Sequence, residues 1–355
     1  MGSNPVGRAK KREGRKAKMT EYGFIKIEYD YPETQKPVRQ KMDRKSSVEL
    51  VVIASILGFA ILGFEYFSDL YVKLIVKTPF YAYYDTSEAM FNIIQAFFSL
   101  FAILIPFGIA LVFIKLIRKK ETLLPLNAPN SKKLFFASLA IAFLTLVISN
   151  FLVSVGVLAG EAIGFEFDQS EMPPPESFAG YLWQVLSVAL VPAFVEEFAI
   201  RGVMLGALRK YGDTFAIIVS SIFFGLMHGN VMQAPFAMIL GVVIGWLVIK
   251  TGSLWTGIAI HFMNNLYATS LVALGEITST TVYVAIVAVV NVVGVLLGVY
   301  ALVWLIDKRK VELRLEKKYK WEPYVCSLVA IPLLAAFVFL VSDCLSTVHY
   351  LGLLQ

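Results

Sequence analysis

The sequence predicts an all-α protein, a polytopic transmembrane bundle of eight or nine spans around an intramembrane polar cavity. Three observations lead there. The 355-residue chain is 57% hydrophobic and only 16% charged, whereas a soluble domain carries about 25% charged residues. Its apolar residues fall in stretches that approach or exceed the roughly 20 residues needed to cross a bilayer. Within one of these stretches lies the charged run PAFVEEFAIR, Pro192 to Arg201. An ionised side chain at mid-membrane costs roughly 2.5 to 3.5 kcal/mol on insertion scales, so Glu196, Glu197 and Arg201 together imply a use inside the membrane.

Taken in order, residues 1–46 form a basic polar tail, opening with GRAKKREGRKAK and continuing through EYGFIKIEYDYPETQK. It reads as a disordered cytoplasmic segment held near anionic lipid. Position 6 is Val6, which excludes the N-myristoylation pattern, and no apolar h-region marks a signal peptide. N-terminal transmembrane helices follow over 47–175, with spans predicted at Val48–Phe64, Ala89–Leu116 and Leu134–Leu158. A core over 176–275 holds Tyr181–Leu208, Thr214–His228, Gln233–Ile249 and Leu254–Leu274. The C-terminal helices over 276–355 hold Thr281–Ile306 and Tyr324–Val341. The fifth and sixth spans are short and read as a tight hairpin. Glycine pairs four apart, Gly202 with Gly206, Gly241 with Gly245 and Gly294 with Gly298, predict close helix packing.

Lys and Arg in short loops set orientation. Placing the tail inside also puts inside the basic loops at Lys115–Lys133, Arg209–Lys210, Lys250 and Asp307–Lys320. The loop Gly160–Ser177, with five acidic residues and no basic one, falls outside. The net charge of +6 is therefore read as topology, and no nucleic-acid partner is expected. Cys326 and Cys344 flank one apolar segment and imply neither a disulfide framework nor a zinc motif.

Two further spans carry polar groups. His228 ends SSIFFGLMH, and His261 lies in LWTGIAIHFMNN with Asn264 and Asn265 sharing its helix face. Glu197 and Arg201 share a face, while Glu196 points about 100° away. By helix rise, Glu196 lies about 18 Å from Arg209 and His261 about 16 Å from Lys250, both near mid-membrane, and His228 lies somewhat beyond. A carboxylate and an imidazole can deprotonate a shared water. A second imidazole and a carboxamide can donate to a developing oxyanion. The same residues admit other uses: Glu197–Arg201 as a stabilising ion pair, His261–Asn265 as an interhelical clamp, or a proton relay. Two His and a Glu also resemble a zinc ligand set, but no HExxH spacing is present, so no metal or other cofactor is required by the sequence.

In order along the chain, Glu196-Glu197-x-x-x-Arg201, Phe224-x-x-x-His228 and His261-x-x-x-Asn265 resemble the signature of the CPBP (Abi) family. These are the CAAX-protease and bacteriocin-processing proteins, among them the eukaryotic type II CAAX prenyl endopeptidase. The resemblance covers Tyr181 to Asn265. It implies a helical intramembrane bundle with a cavity open to the cytosol, in which Glu196 and His228 activate water. His261 and Asn265 would form the oxyanion site, with Glu197 and Arg201 supporting the glutamate helix. The expected activity is metal-independent endoproteolysis of a membrane-associated or lipidated peptide or protein, with membrane lipid as the other partner. The alternatives are a non-proteolytic scaffold or immunity protein of that family and a proton-coupled transporter. The expected location is a plasma membrane, taken as bacterial, with the N-terminus cytoplasmic.

Overall fold

The computed structural model describes residues 15–19, 25–29, 41–83, 87–168, 172–307, 315 and 318–350. In the tail, β1 (Arg15–Met19) pairs antiparallel with β2 (Ile25–Tyr29), within a unit of its own, residues 1–39. There the chain is paired strand where a disordered segment was expected, and the rest of residues 1–40 lies outside the described residues.

From residue 41 onward the chain is helical. The helices are α1 (Arg44–Val76), α2 (Glu88–Ile117), α3 (Lys132–Ala162), α4 (Phe178–Tyr211), α5 (Asp213–Leu226), α6 (Gln233–Thr251), α7 (Leu254–Ile277), α8 (Thr280–Asp307), α9 (Glu322–Val329) and α10 (Ile331–Ser346). Their starts are written in the sequence: Asp43, Ser87, Ser131 and Ser177 each accept a hydrogen bond from a backbone N–H in the first turn of the helix that follows, the usual role of short polar N-caps. A short antiparallel pair, β3 (Phe165–Phe167) with β4 (Val348–Tyr350), joins the loop after α3 to the segment after α10.

Two long helices are interrupted by π turns, Leu100–Leu104 in α2 and Val185–Leu190 in α4. Each is followed two residues on by a proline, Pro106 and Pro192. Proline removes an i→i−4 hydrogen bond and crowds the preceding turn, and a widened turn accommodates it without ending the helix. A third π segment, Phe198–Leu205, follows Glu197 directly.

Among the described residues six helices, α1, α2, α3, α4, α6 and α8, are long and apolar enough to cross a membrane, or seven if the bent pair α9–α10 is one span. This differs from the eight or nine expected, for three reasons. The 14 residues of α5 rise about 21 Å, short of a hydrocarbon core of about 30 Å. Helix α7 is long enough, but His261, Asn264 and Asn265 lower its apolarity. The last predicted span is broken at Ala330 by 83°, beside Pro332.

Helix packing is close where glycines allow it: the Gly58 face of α1 abuts the backbone of Leu333 in α10, and a Cβ on Gly298 of α8 would stand 2.6 Å from the Ala140 carbonyl of α3. The two ends of the bundle differ in charge. At one, buried Arg118 bonds Glu49 (2.7 Å), the Ala207 carbonyl and the Tyr211 hydroxyl, while Lys210 also bonds Glu49. Lys318 reaches the Lys210 carbonyl and Asn130 the Lys250 carbonyl. Arg118, Lys210, Lys250 and Lys318, each from a loop predicted to share a side, thus gather at this end. At the other end of α3 lie β3 and β4.

Candidate active site

The two adjacent glutamates of α4 face different surroundings. Glu197 is fully buried and forms a 2.7 Å ion pair with the equally buried Arg201. The guanidinium stacks over the Phe224 ring, 4.3 Å to its centroid, and a second nitrogen donates to the Gly241 carbonyl. Glu196, with 23% of its side chain exposed, lines a cavity of about 590 Å³ together with His228, His261, Asn264 and Asn265. Helices α4 and α7 and the turn after α5 therefore bring Glu196, His228, His261 and Asn265 to one space walled also by α6, with Glu197 and Arg201 packed behind it.

Hydrogen-bond partners fix how the imidazoles present themselves. His261 Nδ1 lies 3.1 Å from Glu197 Oε1. A carboxylate already engaged by arginine can only accept, so Nδ1 carries the proton and Nε2 faces the cavity, 3.9 Å from Glu196 Oε2. His228 Nδ1 donates to the Phe224 carbonyl at 2.8 Å, which leaves its Nε2 unprotonated in the neutral ring and able to take a proton. The Phe224 ring stands edge-on between both imidazoles, 5.1 Å from His228 and 5.6 Å from His261. Asn265 donates to the Val188 carbonyl in the π segment of α4 and accepts from Asn264.

His228 sits just past the end of α5, in a turn made by Gly229 at φ +61°. The turn is held from several sides. Asn230 Oδ1 accepts from the N–H groups of Met232 and Gln233, starting α6, and its amide donates to the Asp168 carbonyl. Val231 N–H donates to Thr347 Oγ1, and Cys344 donates to the Leu226 carbonyl. The tethers to Asp168, Thr347 and Cys344 are not visible as sequence motifs, because those residues are distant along the chain. Gly257 is equally silent in the sequence, yet a Cβ there would stand 2.5 Å from Glu197 Oε2. Gln95 and Gln233 also reach the cavity.

The cavity runs from Glu196 toward Phe91, Met172 and Val272, near the β3–β4 end of the bundle and away from Arg118 and Lys210. Among the described residues no group of three or more His, Cys, Asp or Glu is arranged to hold a metal ion.

Residues 178–267 match the family model described as type II CAAX prenyl endopeptidase Rce1-like. This segment is similar to the CAAX-protease domain of that family. It spans α4 through the first half of α7 and contains Glu196, Glu197, Arg201, His228, His261 and Asn265. Helices α1 to α3 and α8 to α10 lie outside the match. No curated protein and no solved structure matches the chain. The Rce1-like match and the long apolar helices point to an integral membrane protein.

Proposed function

We propose that this protein is an intramembrane endopeptidase that hydrolyses a peptide bond of a membrane-associated or lipidated substrate without a covalent intermediate. The observation that carries this reading is the shared cavity of Glu196, His228, His261 and Asn265, with Glu197 and Arg201 buried behind. Glu196 and the free Nε2 of His228 would take the proton of an attacking water. His261, held at Nδ1 by Glu197 as a triad carboxylate holds its histidine, would meet the oxyanion as an imidazolium, since only that form can also donate from Nε2. The second amide hydrogen of Asn265 would add another donor. The test compares cleavage of a peptide library by wild type and Glu196→Ala, with and without chelator. Cleavage that survives the Glu196→Ala change rejects the assignment.

The gathering of Arg118, Lys210, Lys250 and Lys318 at one end favours that end as cytoplasmic, together with the start of α1, whose Glu49 bonds Arg118 and Lys210. The cavity then opens toward the opposite side, a departure from the cytosolic mouth that the resemblance implied. On this reading the substrate comes from the non-cytoplasmic leaflet or beyond. Impermeant maleimide should label Gln233→Cys in intact cells and leave Lys120→Cys unlabelled, in a chain carrying serine at positions 326 and 344. The reverse pattern inverts the orientation.

A further inference from the structure

A second, smaller cavity of about 140 Å³ meets the first at Glu196, Phe224 and His228. Its walls are almost wholly apolar, and several come from helices outside the Rce1-like match: Phe64 of α1 and Phe98, Ser99 and Ile103 of α2. We infer that this chamber binds one apolar side chain of the peptide substrate, beside the bond to be cut, and that helices α1 and α2 thereby set sequence specificity. The inference rests on the peptidase reading above.

Size selects the occupant. A cavity of about 150 Å³ lined by Leu, Ile and Phe stays dry and accepts a single benzene. A leucine, isoleucine, methionine or phenylalanine side chain is of that order, and a lipid chain of ten or more carbons is too large. Position selects the role, since Glu196 and His228 form the boundary between the two chambers. Anything seated in the smaller one places its backbone against the groups proposed to activate water. The walls are also built to hold shape. Phe98 packs edge-on against Tyr71, with ring centroids 5.6 Å apart, and buried Tyr71 donates to the Ile94 carbonyl at 2.8 Å. Ser99 immediately precedes the π turn at Leu100–Leu104, and Ile103 lies within it. Such turns are rare and concentrate at functional sites.

The test measures kcat/KM over peptides that vary only in the residues flanking the scissile bond, each made with and without a lipid anchor. Wild type is expected to favour Leu, Ile, Met or Phe over Ala at one flanking position by at least about tenfold, as apolar pockets discriminate. Ser99→Leu fills the chamber and should abolish that preference while sparing the Ala peptide. Phe98→Ala enlarges it and should shift the preference toward Phe and Trp. A preference unchanged in both variants overturns the assignment and leaves the peptidase reading standing. A Ser99→Leu defect seen only with lipidated peptides, whatever the flanking residue, gives the chamber to the lipid and also overturns it. Wild type that cleaves none of the peptides removes the peptidase reading and this inference with it.

Discussion

Replacing Arg201 by methionine removes the cation that sits 2.7 Å from Glu197 in a place where neither side chain has any solvent exposure. Glu197 would be left with the His261 Nδ1–H as its remaining donor, and the stacking on Phe224 and the bond to the Gly241 carbonyl would go as well. Leaving one member of a buried ion pair uncompensated costs about 3–5 kcal/mol. At roughly 2 °C per kcal/mol for a large domain, the midpoint of thermal unfolding should fall by about 6–10 °C. Glu197→Leu alone should cost a similar amount, because it strands Arg201. The double variant should be far less harmed than the sum, since replacing both partners by apolar groups is often near neutral. The residual cost is the unsatisfied His261 N–H, about 1–3 kcal/mol. The coupling free energy should therefore be at least about 3 kcal/mol in a double-mutant cycle. Unfolding followed in lipid nanodiscs for the four proteins supplies it. A double variant as unstable as the sum of the singles, or an Arg201→Met protein within about 1 kcal/mol of wild type, would refute the buried pair as the support of the glutamate helix.

Three further outcomes are expected. Gly257→Ala puts a methyl group 2.5 Å from Glu197 Oε2, so it should cost about 1–3 kcal/mol by overpacking and lower cleavage by displacing His261; a fully active and stable Gly257→Ala protein would count against this packing. Asn265→Ala should lower kcat about 10²- to 10³-fold with little change in KM if Asn265 serves the oxyanion, whereas a lower melting midpoint with unchanged kcat would leave it a tie between α7 and Val188. Thr347→Val removes the acceptor for Val231 N–H and should raise hydrogen exchange of the amides at 229–231 together with a fall in cleavage rate. Unchanged exchange would show that the segment after α10 does not hold the His228 turn.

The membrane class and most helices were legible because apolar runs, short polar N-caps and charged residues inside apolar runs are local signals. The spacing of Glu197 and Arg201 gave their shared face, and the structure has them in contact, with Glu196 turned toward the cavity. What the sequence did not disclose depends on contacts between distant segments. The π turns before Pro106 and Pro192 leave no period in the sequence distinct from an α-helix that contains a proline. Pro332 was visible, but the 83° break beside it was read as part of one straight span. The run Thr214–His228 was plain and the helix matches it to within two residues at each end, but its 14 residues rise only about 21 Å, too little for the separate span it was counted as. The tethers from Asp168 and Thr347, and the chamber walls Phe64 and Phe98, are set by tertiary packing alone. The direction of the cavity also needed the structure, since it follows from which loops meet at each end.

Glu196 is the side chain on which the proposed hydrolysis depends most directly. Purified protein assayed on a fluorogenic peptide library in the presence of chelator should cleave, and Glu196→Ala should lose at least about 10³-fold in kcat/KM, within the range a general base contributes, while keeping the wild-type melting midpoint to within a few degrees. Cleavage by Glu196→Ala within tenfold of wild type would contradict the glutamate mechanism. Wild-type activity abolished by chelator and restored by a divalent metal would contradict the metal-independent form of it and make Glu196, His228 and His261 candidate ligands instead.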